Sequence, residues 1–215
     1  MSSVSPRQAD PGLGAALIDT AARLLAEEGP AALSTRRLAA ALGTSTTAVY
    51  THFGGMDDLV RAMVHEGFER LNRRMSAVGE TEDPVADVAA LGMAYRANAQ
   101  QHRELYSVMF GGSNLGGFSL TDEDRQHGRF TLEILVGAVR RGMDVGRFRA
   151  GDAHLVAHQM WIALHGLLTL EFGGFLIEPY DADVCFEAQV RGLVIGAGDT
   201  VELARESWES AVTRT

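Results

Sequence analysis

No lysine occurs in the 215 residues: all 19 basic side chains are arginine, and 28 acids outnumber them to leave a net charge of −9. Without an amine side chain there is no Walker A loop, whose phosphate-gripping residue is lysine, and no Schiff-base or Ser-Lys catalysis. The acidic excess excludes a protein that coats nucleic acid through a broad basic surface, and leaves room only for a localised binding element. Cysteine occurs once, at Cys185, so neither an intramolecular disulfide nor a cysteine-based metal site can form, and a reducing cytoplasm is the expected location. Apolar runs are broken by charge, glycine or histidine well short of the roughly 18 residues that a spanning helix needs. The first 12 residues lack the hydrophobic centre of an export signal, so no membrane association is expected.

Proline is also scarce, with 5 residues, and apolar residues recur every three or four positions without sustained alternation. This pattern predicts an all-α protein. A composition of 46% hydrophobic and 22% charged residues supports one large core, or a small domain fused to a larger one. Residues 1–12, with Ser2, Ser3, Ser5 and Pro6, read as a flexible arm. A first helix carries Leu17, Ala21, Leu24 and Leu25 on one stripe and stops at Gly29-Pro30. Two short helices follow, over about 35 to 42 with Ser34 as N-cap and up to about 53 with Ser45 as N-cap, separated by Gly43-Thr44. Longer helices are expected over about 56–77, 84–101, 103–110, 122–143, 152–172, 182–195 and 199–212. The glycine run at 111–117 opens no dinucleotide fingerprint and reads as a connector.

Two helices of this length joined by a tight turn and preceded by a longer one form a helix-turn-helix unit. Leu38, Ala39 and Leu42 supply the inner face of the supporting helix, and Val49 and Phe53 that of the second. Thr46, Thr47, Tyr50 and Thr51 then face outward, with hydroxyls, methyls and a phenol suited to base edges, thymine methyls and phosphates. The string LSTRRLAAALGTSTTAVYTHFGGMDDLV, residues 33–60, resembles the DNA-binding domain of the TetR family of transcriptional repressors. The resemblance implies DNA contact by Thr35, Arg36, Arg37, Ser45, Thr46, Thr47, Tyr50, Thr51 and His52, with Tyr50 and His52 mainly on phosphates and Arg36, Thr46 and Thr47 reading bases. One departure is Met56, which stands where the family usually has a phosphate-binding lysine. Residues 1–60 carry four arginines against six acids, a net of −2. DNA binding is therefore expected to rest on few phosphate contacts.

Domain boundaries are expected at 1–12 for the arm, 13–55 for the helix-turn-helix domain and 56–215 for a larger helical effector-binding and dimerisation domain. The Trp161…His165-Gly166 segment is similar to the C-terminal domain type of TetR-like regulators that bears a Trp-His-Gly signature. In that family the last two long helices pair with their counterparts, and Gly166, Gly173, Gly174, Gly192 and Gly196 would let them approach closely. Tyr95, Tyr106, Met109, Phe110, Phe130, Trp161 and His165 are the candidates to line an effector cavity, together with Met63, Phe68 and Ile134, although apolar stripes of this kind are more often plain core. His154, His158 and His165 share one helical stripe. The first two could bind a metal, but no third ligand of convincing spacing accompanies them, and no metal or cofactor is expected. The absence of GxSxG, HExxH and dinucleotide motifs argues against an enzyme. The expected function is a homodimeric, ligand-responsive repressor on a pseudo-palindromic double-stranded operator, released by a small, mostly apolar effector. The alternative is a helical small-molecule-binding protein with weak or lost DNA binding.

Overall fold

The computed structural model describes residues 11–110 and 120–214. The expected arm as far as residue 10, its Arg7, and the 111–117 glycine run lie outside the described residues. Every regular element among the described residues is helical, as the three- and four-residue apolar spacing requires. In chain order they are α1 (Pro11–Glu28), a 3-10 turn (Pro30–Ala32), α2 (Thr35–Ala41), α3 (Thr46–Phe53), α4 (Met56–Ser76), α5 (Pro84–Gln101), α6 (Arg103–Phe110), α7 (Asp122–Asp144), α8 (Ala153–Phe172), α9 (Ala182–Ala197) and α10 (Val201–Val212).

The chain divides into two compact units. The first comprises residues 1–69 and 102–127 and the second residues 70–101 and 128–215. In the first unit α1 buries Leu17, Ala21, Leu24 and Leu25 and packs on α2 and α6. Phe68 meets Phe110 edge-on at 5.8 Å, and Met109 lies against Gly67, where a Cβ would collide with its thioether. Gly67 on α4 thus makes room for Met109 on α6.

In the second unit α5 packs on α8, α9 and α10. A buried polar network pins the start of α5 to distant segments. Asp83 caps α5 by accepting from Val85 N and Ala86 N and also accepts from Ser207 Oγ at 2.7 Å. Asp87, almost wholly buried, accepts from Thr81 N and Oγ1 and from the guanidiniums of Arg141 and Arg214. Arg147 grips Asp199 through two bonds of 2.7 and 2.8 Å. Burial pushes the Asp87 carboxyl up, but these donors more than offset it and hold the group below the ordinary carboxylate range. Charges so buried contribute little net stability as a set, and removing one partner strands the others.

Candidate nucleic-acid interface

The helix-turn-helix unit is built by local chemistry. Ser34 Oγ accepts from Arg37 N at 3.3 Å and opens α2. Gly43 adopts φ +62°, a left-handed conformation that glycine takes at no steric cost, and lets Thr44 N donate to Ala39 O at 2.9 Å. Ser45 Oγ then accepts from Ala48 N at 3.2 Å and opens α3. Leu38, Ala39 and Val49 are fully buried between the helices. Leu42 and Phe53 complete that inner face half-buried.

What remains outside is the face expected to read DNA. Thr46, Thr47 and Thr51 are exposed and Tyr50 is 54% exposed, whereas Thr35 is half-buried. Thr51 Oγ1 donates to Thr47 O at 2.9 Å, so its hydroxyl proton is already used within the helix. Arg36 and Arg37 differ sharply. Arg36 is exposed and makes no ion pair among the described residues, while Arg37 donates to both oxygens of Glu28 at 2.6 and 2.5 Å. His52 is half-buried. Its Nδ1 lies 3.3 Å from where a Cβ on Gly14 would be, so the ring rests against α1 and only part of it is open to solvent. Met56 opens α4, with Asp57 and Asp58 in the first turn where they suit the helix dipole.

Two features of this unit carry no periodic signal in the sequence. Glu28 captures Arg37 across the 3-10 turn, nine residues away. Asp124, at the start of α7, is almost wholly buried and accepts from His65 Nε2 at 2.9 Å and from Thr121 N and Oγ1 at 2.8 Å each, with Arg61 Nε at 3.3 Å. Burial raises this carboxyl, but Thr121, His65 and Arg61 prevail and hold it down to about 2. His65 also stacks on His127, with ring centroids 4.0 Å apart.

Comparison with known proteins matches this geometry. The sequence profile described as bacterial regulatory proteins, tetR family, matches residues 17–63, which are α1 to α3 and the start of α4. The profile described as tetracyclin repressor-like, C-terminal domain, matches residues 88–193, so the two together span most of the chain. The chain belongs to the TetR family of transcriptional regulators. This TetR-family chain is 27% identical over 184 residues to an uncharacterized HTH-type transcriptional regulator of Mycobacterium tuberculosis, covering 84% of this chain and 79% of that protein. Among solved structures it is similar to a protein of unknown function from Rhodococcus sp. RHA1, with a TM-score of 0.74, 27% identity, and coverage of 91% of this chain and 100% of that one. It also shares its fold with the TetR family transcriptional regulator PfmR from Thermus thermophilus, with a TM-score of 0.68, 23% identity, and coverage of 86% and 99%.

The TetR-family chain thus has an N-terminal DNA-binding domain and a C-terminal ligand-binding domain. Residues expected to line an effector cavity occur in both units. Tyr106, Met109 and Phe110 cluster in the first unit, Tyr106 and Phe110 with ring centroids 4.8 Å apart. Tyr95, Trp161 and His165 cluster in the second, where Trp161 Nε1 donates to Tyr95 Oη at 3.2 Å and the Trp161 and His165 rings lie 6.2 Å apart. Burial alone pushes the His165 imidazole down, favouring its neutral form. The Phe130 ring is 66% exposed on α7. His158 Nδ1 lies 2.6 Å from His154 O, within the helix, and His154 sits 3.6 Å from Glu133. Among the described residues no three His, Cys, Asp or Glu side chains are grouped to hold a metal ion, and no helix is long and apolar enough to cross a membrane. An open cavity of about 890 Å³ in the second unit is lined by α5, α9, α10 and the end of α4, and by none of the expected effector residues.

Proposed function

We propose that this TetR-family regulator is a cytoplasmic homodimeric repressor that binds a pseudo-palindromic operator through paired α3 helices and is released by a small, mostly apolar effector. The observation that carries the reading is the face of α3. Thr46, Thr47 and Tyr50 stand exposed on a helix too short to be explained by packing, and a capped turn fixes that helix against a buried inner face. Ser45, Thr51, His52, Thr35, Arg36 and Arg37 surround it. Nothing in this arrangement needs a catalytic step.

Dimerisation is supported by α8 and α9. Leu155, Ile162 and Leu170 are exposed along one side of α8, with Gly166 among them. Gly192 and Gly196 of α9 have open space where a Cβ would be. An apolar stripe with small residues is the surface that a second copy covers, allowing close helix approach. The effector acts only if it binds one spacing of the α3 pair more tightly than the other. Tyr95, Trp161 and neutral His165 form the polar-tipped aromatic group that would orient it, and the Trp161…His165-Gly166 segment supports a C-terminal domain of the Trp-His-Gly type. The alternative, a small-molecule binder with weak or lost DNA binding, draws support from Met56 and from the capture of Arg37 by Glu28.

Gel shift on DNA from upstream of the protein's own coding sequence tests the reading. Thr47→Ala combined with Tyr50→Phe is expected to weaken the shift about tenfold or more, the size of a lost base contact with a phosphate contact. Unchanged affinity in the double variant overturns the assignment of α3 residues, and no shift by the unaltered protein favours the alternative.

A further inference from the structure

The open cavity of the second unit has the chemistry of a ligand site. Its volume of about 890 Å³ lies in the range of organic-molecule sites. Ala90, Ala94 and Ala97 line it along one face of α5, and side chains this short give it depth. Phe186 and Trp208 also line it, held edge to face with centroids 5.7 Å apart.

The charges at its rim are not equivalent. Arg96 is satisfied: it donates twice to Glu171 at 2.9 and 3.0 Å, meets Asp183 at 2.7 Å and lies over the Phe186 ring at 5.0 Å. Arg214 is spent on buried Asp87 at 3.1 Å, and Glu187 on Arg191 at 3.0 Å. Arg74 differs. Its hydrogen bond goes to the neutral amide oxygen of Gln101 at 2.7 Å, and no carboxylate among the described residues answers its charge. A trough with apolar walls and one uncompensated guanidinium in its lining selects a ligand with an apolar body and an anionic head.

We propose that this cavity binds an amphipathic carboxylate, such as a fatty or arylalkyl acid, with its apolar body along Ala94, Phe186 and Trp208 and its carboxylate on Arg74. The site is separate from the effector group, since Tyr95 lies on another face of α5 and Trp161 and His165 lie on α8.

The chain has two tryptophans, so Trp161→Phe leaves Trp208 as the sole fluorescent reporter in the cavity wall. Decanoate, titrated below its micelle concentration, is expected to change Trp208 emission saturably. Arg74→Gln should weaken it about fivefold, the scale of an exposed ion pair, and decanol should bind the parent as weakly as decanoate binds that variant. Ala94→Leu should abolish the signal by filling the trough, with the melting curve reporting that the fold is kept. The proposal is overturned if decanoate gives no saturable change, if decyltrimethylammonium binds as tightly as decanoate, or if both substitutions leave binding intact. Operator gel shifts run alongside report on the repressor reading separately, because Arg74 and Ala94 have no part in it.

Discussion

Arg36 and Arg37 are neighbours in sequence and opposites in availability. The Arg37–Glu28 pair is roughly half exposed on both sides, and such a pair contributes at most about 1 kcal/mol. A phosphate reaching Arg37 must first displace a bidentate carboxylate, so the guanidinium is less available to DNA than that of Arg36. Asp124 is the contrasting case, since its carboxylate is buried and accepts four contacts. Its folded pKa of about 2 lies below the unfolded value of about 3.9. Its contribution to stability is thus complete above the unfolded value and is lost as the pH falls from about 4 to about 2. Asp124→Asn should lose that part of the acid limb in denaturant titrations at stepped pH. At pH 7 it should be less stable by about 1–3 kcal/mol, since Thr121 and Arg61 would keep donors without a charged acceptor. An unaltered midpoint and acid limb in the variant would show that the buried carboxylate holds nothing.

The turn between α2 and α3 sets the angle at which the exposed threonines are presented, and it depends on one backbone torsion. Gly43 at φ +62° has nothing within 4 Å of a built Cβ, so a substitution there tests conformation without a clash. Gly43→Ala should cost about 1–2 kcal/mol, the left-handed penalty for an L residue, visible as a lower denaturant midpoint, and it should weaken operator binding as the α3 angle relaxes. If the midpoint holds, the torsion is not under strain in the variant and the turn is more tolerant than its geometry suggests. Elements like this one were legible from sequence because their signals are local. Ser34, Ser45 and Gly43 declare helix ends within four residues, and the stripe of Leu17, Ala21, Leu24 and Leu25 is a periodicity. The 3-10 turn at Pro30–Ala32 was less so, being a single turn with no period to read. The grip of Glu28 on Arg37, and the Asp87–Arg141–Arg214 network, join residues 9 to 127 positions apart. Charge placement at that range has no signature in one sequence. The exposure of the Phe130 ring has no signature for the same reason: an apolar residue on a helix has a core side only once its neighbours are known.

At the scale of the whole molecule, a net charge of −9 acts against DNA approach, and specificity must come from few cationic contacts and many neutral ones. On the proposed interface the hydroxyls of Thr46, Thr47 and Tyr50 and the backbone amides of α3 would position the protein without releasing counterions, so only arginines would steepen the salt dependence. With Met56 in place of a cation, Arg36 without an ion pair among the described residues and Arg37 held by Glu28, each half of the proposed dimer would bring few such groups. A homodimer should therefore show a log-affinity against log-salt slope shallower than about −6. Glu28→Gln separates the contributions. It frees Arg37 in both halves, so operator affinity at low salt should rise and the slope should steepen by about 2 for the dimer, roughly one unit for each phosphate newly gripped. Titration of operator DNA between about 50 and 200 mM salt measures both slopes. A slope near −10 for the unaltered protein would mean that phosphate contacts come from arginines outside the helix-turn-helix unit. An unchanged slope in Glu28→Gln would mean that Arg37 already leaves Glu28 when DNA binds, and its ion pair then limits only the free protein.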